Sequence, residues 1–147
     1  MKILHLTFSN LNSLQGKWSI DFTNEAYTKS GLFAITGPTG SGKTTILDAL
    51  CLALYGNTPR ISNYSAYGKR AQSGLFCAIS SGTDSAFAEV IFEGKDGRRY
   101  KCRWHGTLNP ERNGLKQSER ILCFEDPGNS APAAGNHNLI GIRQCTD

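Results

Sequence analysis

Apolar and polar residues alternate in several stretches of the chain, and one long apolar block interrupts the alternation. Residues 3–8 predict a first strand. Trp18, Ile20 and Phe22 alternate with Lys17, Ser19 and Asp21, the pattern of a half-buried strand. Ala86, Ala88, Val90 and Phe92 alternate in the same way with Phe87, Glu89, Ile91 and Glu93. Gly94-Lys95-Asp96-Gly97 is a hairpin turn signal, so residues 98–104 should return beside that strand. Residues 118–124 should add a third strand to the meander after a polar loop at 106–117.

Between these strands the periodicity changes. Residues 32–35 form a short apolar run and predict a buried strand, and residues 45–55 predict a helix that Gly56 ends. Ile46, Leu47, Ala49, Leu50, Leu52, Ala53 and Leu54 cover more than one face of that helix. It should therefore be buried on most sides, against a sheet and under further layers. Residues 10–16 are turn-prone, 23–30 are polar and loop-like, and 57–82 read as an excursion over the surface. From Asp126 onward the text is low in complexity, so residues 126–147 are expected to be a poorly ordered tail behind a folded unit at 1–125.

The strand–turn–helix at the centre carries the chemistry. Gly37-Pro38-Thr39-Gly40-Ser41-Gly42-Lys43-Thr44 fits G-x-x-x-x-G-K-[ST], the phosphate-binding P-loop. With ordinary residue usage the pattern arises by chance in about one chain in two hundred of this length. The predicted strand before it and helix after it lower that further. Small residues let backbone N–H groups curl around an anion, and the positive end of the helix adds to the attraction. Lys43 would meet the β- and γ-phosphates, and the Thr44 hydroxyl is a hard oxygen ligand for Mg²⁺. The expected cofactors are ATP and Mg²⁺.

Composition narrows the class. The chain has 147 residues, room for one domain with a real core but fewer than a complete P-loop ATPase usually needs, which raises truncation as an expectation. No run of 18 apolar residues occurs, and the start of the chain alternates too much for a signal peptide. No membrane role and a cytoplasmic location are therefore expected. Cys51, Cys77, Cys102, Cys123 and Cys145 are odd in number and contain no C-x-x-C pair, which argues for reduced thiols. His5, His105 and His137 lack metal-like spacing. The net charge of +4 suits a polyanion without singling one out.

The flanks of the P-loop carry a resemblance. Asn10-Leu11-Asn12-Ser13-Leu14 with Gly16 and Trp18, Ile20-Asp21-Phe22, the run from Gly31 to Thr45, Leu47-Asp48-Ala49, and Cys51-Leu52-Ala53-Leu54-Tyr55-Gly56 resemble the N-terminal half of the SbcC family. Thr58-Pro59-Arg60 and Ala88-Glu89-Val90-Ile91-Phe92-Glu93 continue it, so that it covers roughly residues 1–125. SbcC proteins are the ATPase subunits of bacterial SbcCD nucleases and are related to SMC proteins.

The resemblance implies an α/β fold: a P-loop NTPase, the N-terminal lobe of an ABC-type ATPase head with an antiparallel β-meander beside the P-loop strand and helix. It implies ATP hydrolysis coupled to double-strand break repair in an assembled head dimer. The implied partners are the C-terminal half of the same head, a second copy, an SbcD-like nuclease subunit and double-stranded DNA. The signature motif, the Mg²⁺-binding Asp with its catalytic Glu, and the switch His would lie in that C-terminal half, so no catalytic residue is assigned here. By the resemblance, Asn12 and Ser13 sit where the family contacts adenosine, and Thr39, Gly40, Ser41, Gly42, Lys43, Thr44 and Thr45 cradle the phosphates. Ser81 stands where the family often carries a basic residue near the nucleotide.

Other readings remain open. Asn12 and Ser13 would equally suit an Asx-type turn between strands. Glu125 and Asp126 follow four apolar residues, as a strand delivering a carboxylate to Mg²⁺ would, yet a meander strand ending in a turn reads the same. Gln144 in Ile142-Arg143-Gln144 echoes the family's Q-loop, but a solvated Gln explains it as well. Arg98, Arg99, Lys101 and Arg103 could contact DNA phosphates, although edge-strand charges that block aggregation are favoured. Two other functions compete: a self-contained small nucleotide kinase or NTPase using Lys43 and Asp126, and a non-enzymatic remnant.

Overall fold

Alternation in five segments becomes one antiparallel sheet, and the apolar block becomes the helix that lies on it. The structure, a computed structural model, describes residues 1–28, 34–62 and 74–124, with Ala26 and Ser62 described by backbone alone. Leu32, Phe33, Asp126, Gln144 and the low-complexity stretch from 126 lie outside the described residues. The strands are β1 (Lys2–Leu11), β2 (Leu14–Asp21), β3 (Ser85–Glu93), β4 (Arg99–Leu108) and β5 (Leu115–Phe124). The helices are α1 (Glu25–Thr28), α2 (Lys43–Tyr55) and α3 (Pro59–Ser62), and a 3₁₀ turn spans Leu75–Ala78. The sheet order is β2-β1-β3-β4-β5, every pair antiparallel.

One face of this sheet is the core. Leu4, Leu6 and Phe8 of β1, Ala86, Ala88 and Val90 of β3, and Cys102 and Trp104 of β4 are all buried. Successive side chains on a strand point to opposite faces, so each alternating set makes one apolar surface. Against it α2 lays Thr45, Asp48, Ala49, Leu52 and Ala53. Each large apolar side chain fully buried there contributes about 1.5–3 kcal/mol. Gly56 ends the helix in the left-handed conformation with its N–H on the Leu52 carbonyl. Arg120 of β5 then donates to the Leu54 carbonyl at 2.5 Å, placing a cation at the negative end of the helix.

Several expectations change. Ala34 and Ile35 are exposed and belong to no strand. A strand needs a ladder partner, and among the described residues β1 to β5 pair along their length only with one another. The helix is buried on one face rather than most: Leu47 is 54% exposed and Tyr55 71%. The segment 10–16 is mostly hairpin, with a bulge between Ser9 and Leu11. Asn10 and Asn12 take the left-handed φ values, 55° and 48°, that this sharp path needs. Glu25–Thr28 forms a helical turn within the expected loop. Within 57–82 the chain does more than cross the surface, since Thr58, Leu75, Ala78, Ile79 and Ser80 are buried. The turn joining β4 to β5 is shorter than expected, because the strands run to Leu108 and from Leu115.

The two tryptophans divide sharply. Trp104 is buried and its Nε1 donates to Ser118 Oγ at 3.0 Å, whereas Trp18 on edge strand β2 is 47% exposed. Trp104→Ala should therefore cost about 3–5 kcal/mol in urea unfolding. Trp18→Ala should cost less than about 1 kcal/mol. Equal losses would contradict the assigned core face.

Candidate functional site

The turn between Ile35 and α2 is built from residues that permit a tight curl. Gly42 is the N-cap of α2 in a left-handed conformation, with φ 90°, and no side chain caps this end. The left-handed conformation favours glycine, and a Cβ on Gly42 would in addition meet the Leu14 side chain at 2.9 Å and push it aside. At the start of the loop, a Cβ on Gly37 would lie 2.7 Å from Ser41 Oγ. The Ser41 N–H donates to the Pro38 carbonyl at 3.2 Å and closes the curl.

Lys43 folds back over this curl. Its Nζ donates to the Gly37 and Pro38 carbonyls at 2.6 Å each and lies 3.5 Å from Ser41 Oγ. The ammonium is thus held inside the loop by the loop's own carbonyls, on the exposed side of the fold. The helix end carries no capping side chain, so its first-turn N–H groups face outward at the positive end of a 13-residue helix. Thr39, Gly40, Ser41 and Thr44 are all exposed. The structure therefore brings together Gly37, Pro38, Thr39, Gly40, Ser41, Gly42, Lys43 and Thr44 as one exposed, glycine-rich bend with the Lys43 ammonium folded over it at a helix N-terminus. That donor set fits a polyphosphate, with the Thr44 hydroxyl able to take one Mg²⁺ position.

Thr45 behaves differently. It is buried, and its Oγ1 lies 3.5 Å from Asn12 Nδ2. Asn12 Nδ2 also donates to Asp48 Oδ2 at 2.9 Å, while the Asn12 N–H donates to the Ala78 carbonyl. Asn12 thus ties the β1–β2 turn to α2 on one side and to the 3₁₀ turn on the other. Ser13 is exposed beside it. A cleft of about 490 Å³ opens at this junction, lined among others by Asn12, Phe76, Ile79, Ser80, Leu108 and Arg112. Ser81 also lines it, and its carbonyl accepts from Gln15 Nε2 at 2.8 Å. Arg112 is the cation of this cleft, held by Asp84 Oδ1 at 2.5 Å and the Thr83 carbonyl at 2.7 Å.

Sequence reasoning gave no role to Asp48. It is 4% exposed, and its Oδ2 accepts from both Asn12 Nδ2 and Arg60 Nη2. The available signal was an acid standing alone in an apolar helix, three residues after Thr45. The basic residues of β4 do not form an edge, since β4 lies between β3 and β5. Lys101 and Arg103 face Glu89 at 3.9 and 3.6 Å, and the Arg103 guanidinium covers the Phe87 ring at 4.5 Å. Edge protection therefore does not explain them; pairing across strands does. Among the described residues, no group of three or more His, Cys, Asp or Glu could hold a metal ion.

The comparisons with known proteins agree with this geometry. A family described as "AAA domain" matches residues 5–130. The SbcC subunit of the SbcCD nuclease from Pseudomonas aeruginosa is 50% identical over 131 residues, covering 83% of this chain and 11% of that protein. The DNA double-strand break repair Rad50 ATPase of Methanopyrus kandleri is 35% identical over 113 residues, covering 77% of this chain and 11% of that protein. The chain thus spans about a tenth of the length of these curated relatives. Among solved structures, that of the recombination mediator protein RecF with ATP superposes with a TM-score of 0.56 at 13% identity, covering 88% of this chain and 29% of that one. At that identity the likeness concerns the fold alone. With the family matched over most of its length and the P-loop lobe in place, the chain belongs to the AAA domain family and is similar, within it, to the N-terminal ATPase region of SbcC proteins.

Proposed function

We propose that this chain binds the triphosphate of Mg²⁺-ATP in the bend from Gly37 to Thr45. The observation that carries the reading is the ammonium of Lys43 held at 2.6 Å from the Gly37 and Pro38 carbonyls, inside a loop that opens onto an uncapped helix end. A polyphosphate there takes the loop's N–H groups as donors and Nζ as a point charge. Thr45 contributes its backbone N–H, since its hydroxyl faces Asn12. The Thr44 hydroxyl holds Mg²⁺, whose part is to neutralise charge on the transferring phosphate. The nucleoside end extends toward Asn12 and Ser13, where the cleft beside Asn12 gives it room.

In the whole protein this lobe works as part of an ATPase that acts in double-strand break repair with a nuclease partner on double-stranded DNA. The names of the relatives support that reading, one a subunit of the SbcCD nuclease and one a double-strand break repair ATPase. The C-terminal half of the head and a second copy complete the site. The exposed Leu47 and Tyr55 on the outer face of α2 support a covering layer of that kind.

Two measurements test the proposal. By calorimetry with Mg²⁺-ATP, Lys43→Ala should weaken binding at least tenfold, the effect of losing a charge-assisted contact of about 1.5–3 kcal/mol. Equal binding by wild type and variant would remove the site. The chain by itself should hydrolyse ATP at least a thousandfold more slowly than the ~10 s⁻¹ typical of enzymes, because its described residues place no group to orient an attacking water. A rate near that typical value would show that a complete catalytic set is present.

A further inference from the structure

Asp48 is a buried carboxylate that phosphate binding does not use. It sits on α2 one turn beyond Thr44, facing inward, and is 4% exposed. Its Oδ2 accepts from two elements that are distant in sequence: Asn12 Nδ2 at 2.9 Å, and Arg60 Nη2 in an ion pair. A buried carboxylate is costly unless partners replace its lost hydration. Asn12 stands in a left-handed conformation, φ 48°, in the tight turn between β1 and β2. Leu14, two residues on, packs where a side chain on Gly42 would stand. The β1–β2 turn thus meets the phosphate-loop helix at two points, one polar and one apolar.

We infer that Asp48 is a positioning residue for nucleotide binding: through its bond to Asn12 it sets the β1–β2 turn against α2 at the place the nucleoside half of the ligand reaches. Arg60 balances its charge from the solvent side, with a side chain that is 56% exposed. This inference rests on the nucleotide reading above. Its consequence is a split between ligands. Nucleoside contacts depend on the turn, whereas phosphate contacts depend on residues 37–45, so losing Asp48 weakens the first and spares the second.

Calorimetric affinities for Mg²⁺-ATP and Mg²⁺-tripolyphosphate read that split. Asp48→Ala should weaken ATP binding about tenfold and tripolyphosphate binding less than twofold. Asp48→Asn, which retains an acceptor for Asn12, should stay within about threefold of wild type for both. Asn12→Ala, which also removes the residue the nucleoside reaches, should weaken ATP binding at least as much as Asp48→Ala, and the double variant should be no worse than Asn12→Ala alone, because Asp48 acts through Asn12. Equal weakening of ATP and tripolyphosphate would make Asp48 a general prop of the helix and overturn the inference. Effects that multiply in the double variant would overturn it too. Should Asp48→Ala melt below the working temperature, Asp48→Ser, too short to reach Asn12, takes its place under the same outcomes. A wild-type chain that binds neither ligand would sink the nucleotide reading itself; a wild type that binds both, with Asp48→Ala indistinguishable from it, would sink only the role of Asp48.

Discussion

Ala49, Leu52 and Ala53 lie at 0% exposure against a sheet face that presents Leu6, Phe8, Ala88 and Val90, and the rest of the molecule depends on that contact. Small residues on both sides let the helix lie close to the sheet, and close approach gains dispersion contacts along its length. The same contact fixes the axis of α2 and hence the direction of its N-terminal end. An anion site at a helix end is only as well placed as the helix. Packing of alanine and leucine at the middle of α2 therefore decides where the phosphate loop points.

Polar contacts refine what packing sets roughly. The Arg120–Leu54 bond holds the far end of α2 to β5, and the Asn12–Asp48 bond holds the near end to the β1–β2 turn. Both join segments distant in sequence, so both are tertiary contacts rather than part of the helix itself. They differ in cost. Arg120 keeps its charge at a helix end where it is welcome. Asp48 is nearly buried and is stable only while Asn12 and Arg60 remain bonded to it.

The charged face of β4 shows how neighbours decide the meaning of a residue. Arg98, Arg99, Lys101 and Arg103 read in sequence as one basic cluster. In the sheet, Glu89 of β3 stands opposite Arg103, and two of these cations share its carboxylate. The field of the cluster is correspondingly reduced on that face. The Phe87 ring under Arg103 adds a contact that owes nothing to charge sign on a partner strand.

The local elements were legible because their causes are local. Alternation at Ala86, Ala88 and Val90, glycine and aspartate at the hairpin, and the lysine and glycines of the phosphate loop each act within a few residues, and strand, turn and loop stand where they were expected. The tertiary structure decided what depends on contacts between distant segments. It placed β4 inside the sheet rather than at its edge, left Ile35 without a ladder partner among the described residues and left Leu47 and Tyr55 of α2 exposed. It also turned Asp48 from an anonymous helix residue into the joint between Asn12 and Arg60. Composition and spacing record which residues can pair; burial and pairing across the fold select which ones do.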